Sequence, residues 1–179
     1  IAVTPAMGKL LQLLARSVNA RRILEIGTLG GYSTIWLARA LPADGELVTC
    51  EIDQHHAEVA AANLARADVD ALVDIRVGPA RDTLPDLEGP FDLAFVDADK
   101  ASGAEYFGQC VRLVRSGGLI VVDNVVRQGK IVDPGSTDAA VIGTWRLADV
   151  IAAEPRVEAT VLQTVGGKDY DGFVLAYVR

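Results

Sequence analysis

The sequence predicts a doubly wound α/β fold, with a mostly parallel sheet, helices on both faces and a closing antiparallel pair. Three observations predict it. Apolar strand-like runs alternate with amphipathic helical stretches almost to the end of the 179 residues. The strand-like runs are continuously apolar, as in sheets buried on both faces. The last two runs are separated by only about six residues, too few for a helical crossover, so they form a hairpin.

Each element follows from its own residues. Thr4-Pro5 reads as an N-cap with proline at the first helical position, followed by an apolar face of Leu10, Leu11, Leu13, Leu14 and Val18. A first strand over 21–26 leads into a helix over 32–41 that Pro42 stops. A second strand over 46–52 precedes a helix over 56–67, and a third strand over 73–78 precedes a short helix near 80–87. The fourth strand spans 91–97, and a helix over 102–115 then ends at Gly117-Gly118. The fifth strand spans 119–124, and a loop rich in Gly, Pro, Ser and Asp runs to about Asp138. A helix over 139–153 stops before Pro155, and strands near 157–165 and 172–178 finish the chain. Right-handed crossovers join the parallel strands. Trp36 and Trp145 fall on apolar helical faces as packing residues.

Composition narrows the function. The length suits one domain, over 1–179. A net charge of −7 argues against a nucleic-acid or anionic-membrane surface, both of which need a basic patch. It leaves room for a small cationic ligand or a metal ion. Cys50 and Cys110 lack CxxC spacing and read as buried free thiols of a reducing compartment, so the cytoplasm is the expected location. No apolar run is long enough to span a bilayer. The chain opens on Ile1 rather than Met, as a trimmed or partial chain does.

Ligands in such folds bind beyond the carboxyl ends of the strands. The first strand ends in LEIGTLGGYST, where Gly27, Gly30 and Gly31 allow a tight turn and close backbone approach. Glu51 ends the second strand, where a carboxylate can hold a ribose diol. These features suit an adenosine-containing cofactor. The dinucleotide fingerprint G-x-G-x-x-G fails, because Leu29 and Tyr32 occupy the second and third glycine positions. The loop reads E-x-G-x-x-G-G instead. Glu25 suits the ammonium of an amino-acid tail better than a pyrophosphate, and Ser33 at the next helix start is placed to donate to the tail carboxylate. S-adenosylmethionine is therefore favoured over NAD. An NAD-dependent oxidoreductase and a non-catalytic cofactor-binding module are the alternatives.

LEIGTLGGYST, CEID, GPA at 78–80, FVDADK and VVDNV at 121–125 occur in this order along essentially the whole chain. In them the sequence resembles the cation-dependent class I O-methyltransferases, the group of catechol and caffeoyl-coenzyme A O-methyltransferases. The resemblance implies a seven-stranded, Rossmann-like sheet with an antiparallel last strand. It implies that Glu25, Gly27, Thr28 and Ser33 hold the methionine part of the donor and Glu51 its ribose. Ala80, beside Arg81, lies on the adenine side, and Val3 lines the donor from just before the first helix. Asp97, Asp123 and Asn124 match the metal ligands, with Asp97 also beside donor and substrate. Lys100 matches the catalytic lysine that meets the substrate. Members carry further helices before the point where this chain begins and often pair as homodimers, so a homodimer is expected.

The chemistry agrees with that assignment. The fourth and fifth strands should be neighbours, bringing Asp97 and Asp123 together at their ends, with Asn124 adding a neutral oxygen. Oxygen ligands suit a hard divalent cation, Mg²⁺ first, with Mn²⁺ or Ca²⁺ competing. Such an ion relieves the repulsion between the acids and lowers the pKa of a coordinated hydroxyl. A catechol-like vicinal diphenol is then the implied small phenolic substrate. Lys100 takes its proton, provided a neighbouring cation or apolar wall destabilises the lysine's own charge. Asp99 reads as a helix cap, and His55 and His56 as solvated. Asp169, Tyr170 and Asp171 read equally as substrate-bordering or turn residues.

Overall fold

The computed structural model describes residues 2–166 and 169–179. One helix, α1 (Pro5–Ser17), precedes the sheet, and its N-cap Thr4 accepts a hydrogen bond from the Met7 amide at 3.2 Å, with Pro5 in the first turn. There follow β1 (Arg22–Ile26), α2 (Tyr32–Ala38), β2 (Glu46–Glu51), α3 (Gln54–Arg66) and β3 (Val73–Val77). Then come α4 (Ala80–Thr83), β4 (Phe91–Val96), α5 (Gly103–Leu113), β5 (Val114–Asp123) and α6 (Ala139–Ala153). The chain closes with β6 (Val157–Gly166) and β7 (Asp169–Val178). The pairing of the last two strands runs further than expected, to Gly166 with Asp169, and residues 167 and 168 lie outside the described residues.

The seven strands form one sheet in the order β3-β2-β1-β4-β5-β7-β6. The first five in sequence are mutually parallel, and β7 is antiparallel to both β5 and β6. The chain reverses direction across the sheet between β1 and β4, which creates the crevice where doubly wound folds bind ligands.

Alternation along each strand sends side chains to two apolar layers. Leu24, Ile26, Ala94, Val96, Ile120 and Val122 pack with Tyr106 and Phe107 of α5 and Leu147 of α6. Ile23, Leu47, Leu93, Phe95, Leu119 and Val121 pack with Met7, Leu11 and Ala15 of α1 and Leu37 of α2. The parity matters for the site. Asp97 and Asp123 continue the odd-numbered series of β4 and β5 toward the α1 side.

One element departs from the sequence reading. The helix expected to end at Gly117-Gly118 ends at Leu113, and β5 begins at once. Val114 pairs with Phe91, the register then slips, and Leu119 pairs with Leu93. Residues 115–118 of β5 carry the extra length of this irregularity. A Cβ on Gly118 would sit 2.8 Å from the Asp92 carbonyl oxygen, so glycine there serves close strand approach and not helix termination. Arg115 in the same stretch donates to Asp92 Oδ1 at 2.6 Å.

Candidate active site

Two cavities open at the carboxyl ends of the parallel strands. The first, about 690 Å³, is lined by the β1–α2 loop, the end of β2 and the 78–81 turn. The second, about 820 Å³, lies between the start of α1, the ends of β4 and β5, and the hairpin of β6 and β7. Asp97, Asn124 and Val3 line both, and so form the wall between them.

Of the residues expected to hold a donor, Val3, Gly27, Thr28, Ser33, Glu51, Ala80 and Asp97 all line the first cavity. Gly27 has φ +101°, and a Cβ on it would collide with the Asp97 carbonyl oxygen. Its amide donates to Cys50 at 2.9 Å, and the Asp97 amide donates to Ile26 at 2.8 Å. The loop after β1 is thus pinned between the ends of β2 and β4. Glu51 Oε2 accepts from the Leu29 amide at 2.7 Å and Oε1 from the Asp53 amide at 3.0 Å, with His56 Nδ1 3.4 Å from Oε1. Each carboxylate oxygen keeps a second lone pair for a ligand hydroxyl. The Leu29 amide, one of the loop donors a pyrophosphate would need, is already committed to Glu51.

Glu25, expected to meet the ammonium of the donor, is not among the residues that line the first cavity. It is fully buried on the α1–α2 side of the sheet, behind the cavity wall. It accepts from Ser33 Oγ at 2.6 Å, Thr34 Oγ1 at 2.5 Å and Thr49 Oγ1 at 2.7 Å. Thr28 reaches the same group through Thr49, with 2.6 Å between the two hydroxyl oxygens. Burial pushes the Glu25 carboxyl up to about 7, against the pull of the three hydroxyls, and Asp97 adds to the rise. Glu25 therefore bears on the cavity through Ser33. The Ser33 hydroxyl, expected to donate to a carboxylate, spends its proton on Glu25 and presents a lone pair to the cavity. A lone pair suits an ammonium.

The acidic cluster resolves into distinct parts. Val96 pairs with Val122, so the next residues, Asp97 and Asp123, leave adjacent parallel strands side by side. Lys100 Nζ donates to Asp97 Oδ1 at 3.0 Å, and both side chains are mostly buried. The Asn124 amide donates to Asp123 Oδ1 at 2.8 Å, with Asn124 itself in the left-handed region at φ 60°. Burial first, and then Asp97, push the Asp123 carboxyl up to about 6, although the Asn124 amide and Lys100 pull the other way. Two acids thus stand side by side, with Lys100 paired to one of them, Asp97. Asp99 is the cap the sequence suggested: Oδ1 accepts from the Ser102 amide at 3.0 Å and Oδ2 from the Tyr106 hydroxyl at 2.7 Å.

The donor set of Asp97, Asp123 and the Asn124 carboxamide fits a hard cation. It is all oxygen, and the raised Asp123 carboxyl marks a place short of positive charge. It holds two acids rather than three: among the described residues no three His, Cys, Asp or Glu side chains come together as a metal-binding group.

One lining residue escaped the sequence reading, and another was read there only as a border or turn residue. Tyr106 borders the first cavity from α5, two helical turns after Asp99. Asp171 borders the second and accepts from Asn124 Nδ2 at 3.2 Å. Its signal was the Asp-Gly pair inside an otherwise apolar closing strand. Among the described residues no helix is long and apolar enough to cross a membrane.

Comparison with known proteins places these features. Residues 1–177 match the family described as O-methyltransferase. Catechol O-methyltransferase of Niastella koreensis is 52% identical over 183 residues, covering 100% of this chain and 83% of that protein. Catechol O-methyltransferase of Mycobacterium tuberculosis is 52% identical over 180 residues, covering 100% of this chain and 81% of that protein. Among solved structures, the O-methyltransferase TomG of Streptomyces achromogenes, involved in tomaymycin synthesis and bound to S-adenosylmethionine, superposes with a TM-score of 0.96 at 54% identity. That match covers 99% of this chain and 81% of TomG.

Proposed function

Because the chain belongs to the O-methyltransferase family, we propose that it moves the methyl group of S-adenosylmethionine to a hydroxyl of a catechol-like vicinal diphenol. On this reading a divalent cation sits at Asp97, Asp123 and Asn124, and residues 1–179 act as one catalytic domain. The observation that carries the proposal is the shared wall: Asp97 and Asn124 line both cavities, so an acceptor oxygen held there lies next to a donor in the first cavity.

The donor supplies an electrophilic methyl on a sulfonium. Glu51 takes the ribose diol with the lone pairs left after Leu29 and Asp53. Ser33, held by Glu25, accepts from the ammonium of the methionine tail. Ala80 and Arg81 border the adenine end. Four carboxyl groups, Glu51, Asp53, Asp97 and Asp99, line the first cavity. They favour a cationic donor and oppose the pyrophosphate of a dinucleotide.

A bound divalent cation supplies Lewis acidity toward an acceptor hydroxyl and offsets the charge of Asp97 and Asp123. Asp97 would hold that ion, and Lys100, whose ammonium donates to Asp97 at 3.0 Å, would give up its own proton to solvent beside the added positive charge; as the neutral amine it would then take the hydroxyl proton. Val3, Met7, Leu10 and Val165 line the second cavity and give an aromatic ring an apolar seat. Orientation of the two reactants across one wall supplies most of the acceleration.

The test is transfer of labelled methyl from S-adenosylmethionine over a panel of vicinal diphenols, with and without EDTA. Activity on diphenols that EDTA abolishes and Mg²⁺ restores is expected, together with loss of transfer but retention of donor binding in Asp97→Ala. Full activity in excess EDTA would refute the cation role. Donor binding without turnover on any acceptor would favour a binding module.

A further inference from the structure

Asp171 lies on the border of the second cavity, yet its oxygens are turned toward the chain just after β5. Oδ1 accepts from three amides, Val126 at 3.1 Å, Arg127 at 2.8 Å and Gly172 at 2.8 Å. Those bonds fix the carboxylate plane. Oδ2 is left to accept from Asn124 Nδ2 at 3.2 Å.

We propose that Asp171 is a positioning residue that sets which end of the Asn124 carboxamide faces Asp97 and Asp123. The inference rests on the cation reading given above. The two ends of a carboxamide differ little in shape and entirely in chemistry: one oxygen accepts, one nitrogen donates two hydrogens. Only the oxygen can ligate a cation. An ionised carboxylate accepts and never donates, so it selects the nitrogen end and leaves the oxygen for the opposite side. The Asn124 backbone is fixed independently, by its left-handed conformation and by its amide bond to Asp123 Oδ1. Asp171 supplies the remaining constraint, on the side-chain flip. The same carboxylate anchors the Val126 and Arg127 amides, so the turn that follows Asn124 and the third oxygen of the site are set by one group.

The experiment uses Mn²⁺ alone as probe, titrated into the protein by calorimetry at fixed pH, with no acceptor present. In Asp171→Asn the side-chain oxygen keeps the three amides, and an NH₂ now faces Asn124. The Asn124 amide must then turn over to accept from it, presenting N–H groups to the cation. Groups that orient metal ligands typically matter by about 10–100-fold in affinity, and a loss of that size is expected. The reciprocal pair, Asn124→Asp together with Asp171→Asn, puts the donor on position 171 and a carboxylate on position 124, and should regain most of the lost affinity. Unchanged Mn²⁺ affinity in Asp171→Asn, or no recovery in the pair, overturns the positioning role and leaves the cation reading standing. Absence of Mn²⁺ binding to the wild type overturns both. A readout independent of any variant's folding comes from the metal-free wild type: its Asn124 side-chain amide protons should exchange with water far more slowly than those of an exposed asparagine. Free exchange of those protons would refute the hold.

Discussion

Replacing Glu25 by Gln tests the central claim about the donor loop, that a carboxyl buried behind it organises Ser33, Thr34 and Thr49. The folded protein holds this carboxyl at about 7 against an ordinary value of 4.5, with burial the leading cause. Asp97 opposes its ionisation, and the three hydroxyls favour it. The buried Cys50 thiol on β2, itself pushed up to about 12 by burial and then by Glu25, carries no charge in the working range. A raised acid keeps its proton longer in the folded than in the unfolded chain. Stability from this group is therefore greatest below the unfolded value and falls as pH rises from 4.5 to about 7. Each unit is worth about 1.4 kcal/mol, so the group costs the fold about 3 kcal/mol at pH 8 relative to its protonated state. Gln is close in shape, cannot ionise, and meets the hydroxyls with one acceptor and one donor end. The stability difference between Glu25→Gln and wild type should consequently move in favour of the variant by about 3 kcal/mol between pH 4.5 and pH 8, or roughly 6–12 °C in Tm for a chain of this size. Urea unfolding followed across that range measures it. A difference that stays constant with pH would show that Glu25 ionises as freely in the fold as in the unfolded chain, and the argument for its burial-driven shift would fail.

Further outcomes concern the donor and the proton. Glu51→Gln should weaken S-adenosylmethionine binding by roughly 10- to 150-fold in calorimetry, the range of a hydrogen bond to a charged group at about 1.5–3 kcal/mol; unchanged affinity would remove Glu51 from the ribose site. Lys100→Ala should lower kcat by about 10²–10⁴ with little effect on donor affinity. That loss should shrink for nitrocatechols, whose hydroxyl needs no base; equal impairment on acidic and ordinary catechols would make Lys100 a positioning group instead.

Strand identity was legible because each strand is a continuous apolar run, and the pairing of β4 with β5 followed from the fold class. That pairing alone brought Asp97 and Asp123 together on the page. The end of α5 was misplaced because Gly117-Gly118 has the same local appearance at a helix end and at a strand irregularity. Only the partner strand, whose Asp92 carbonyl approaches Gly118, distinguishes the two. Ser33 and Glu25 were both picked out, but the hydrogen bond that joins them was not. Alternation along β1 puts Glu25 on the helix side, and three hydroxyls distant in sequence converge on it. Asp171 was seen only as a turn or border residue, since its four hydrogen-bond donors come from two separate segments.

The bare Cα of Gly27 against the Asp97 carbonyl has a mechanical meaning. Backbone packs on backbone there, with no side chain to flex between them, so the loop after β1 and the start of the Asp97 segment are held in fixed relation. On the proposed function, that contact helps set the gap across which the methyl group passes. Thr164, Val165, Gly166, Asp169 and Asp171 of the closing strands, which border the second cavity, lie outside that contact. On the same reading, exchanging that rim for a relative's should change which phenols are taken while the donor loop stays where the parallel strands set it.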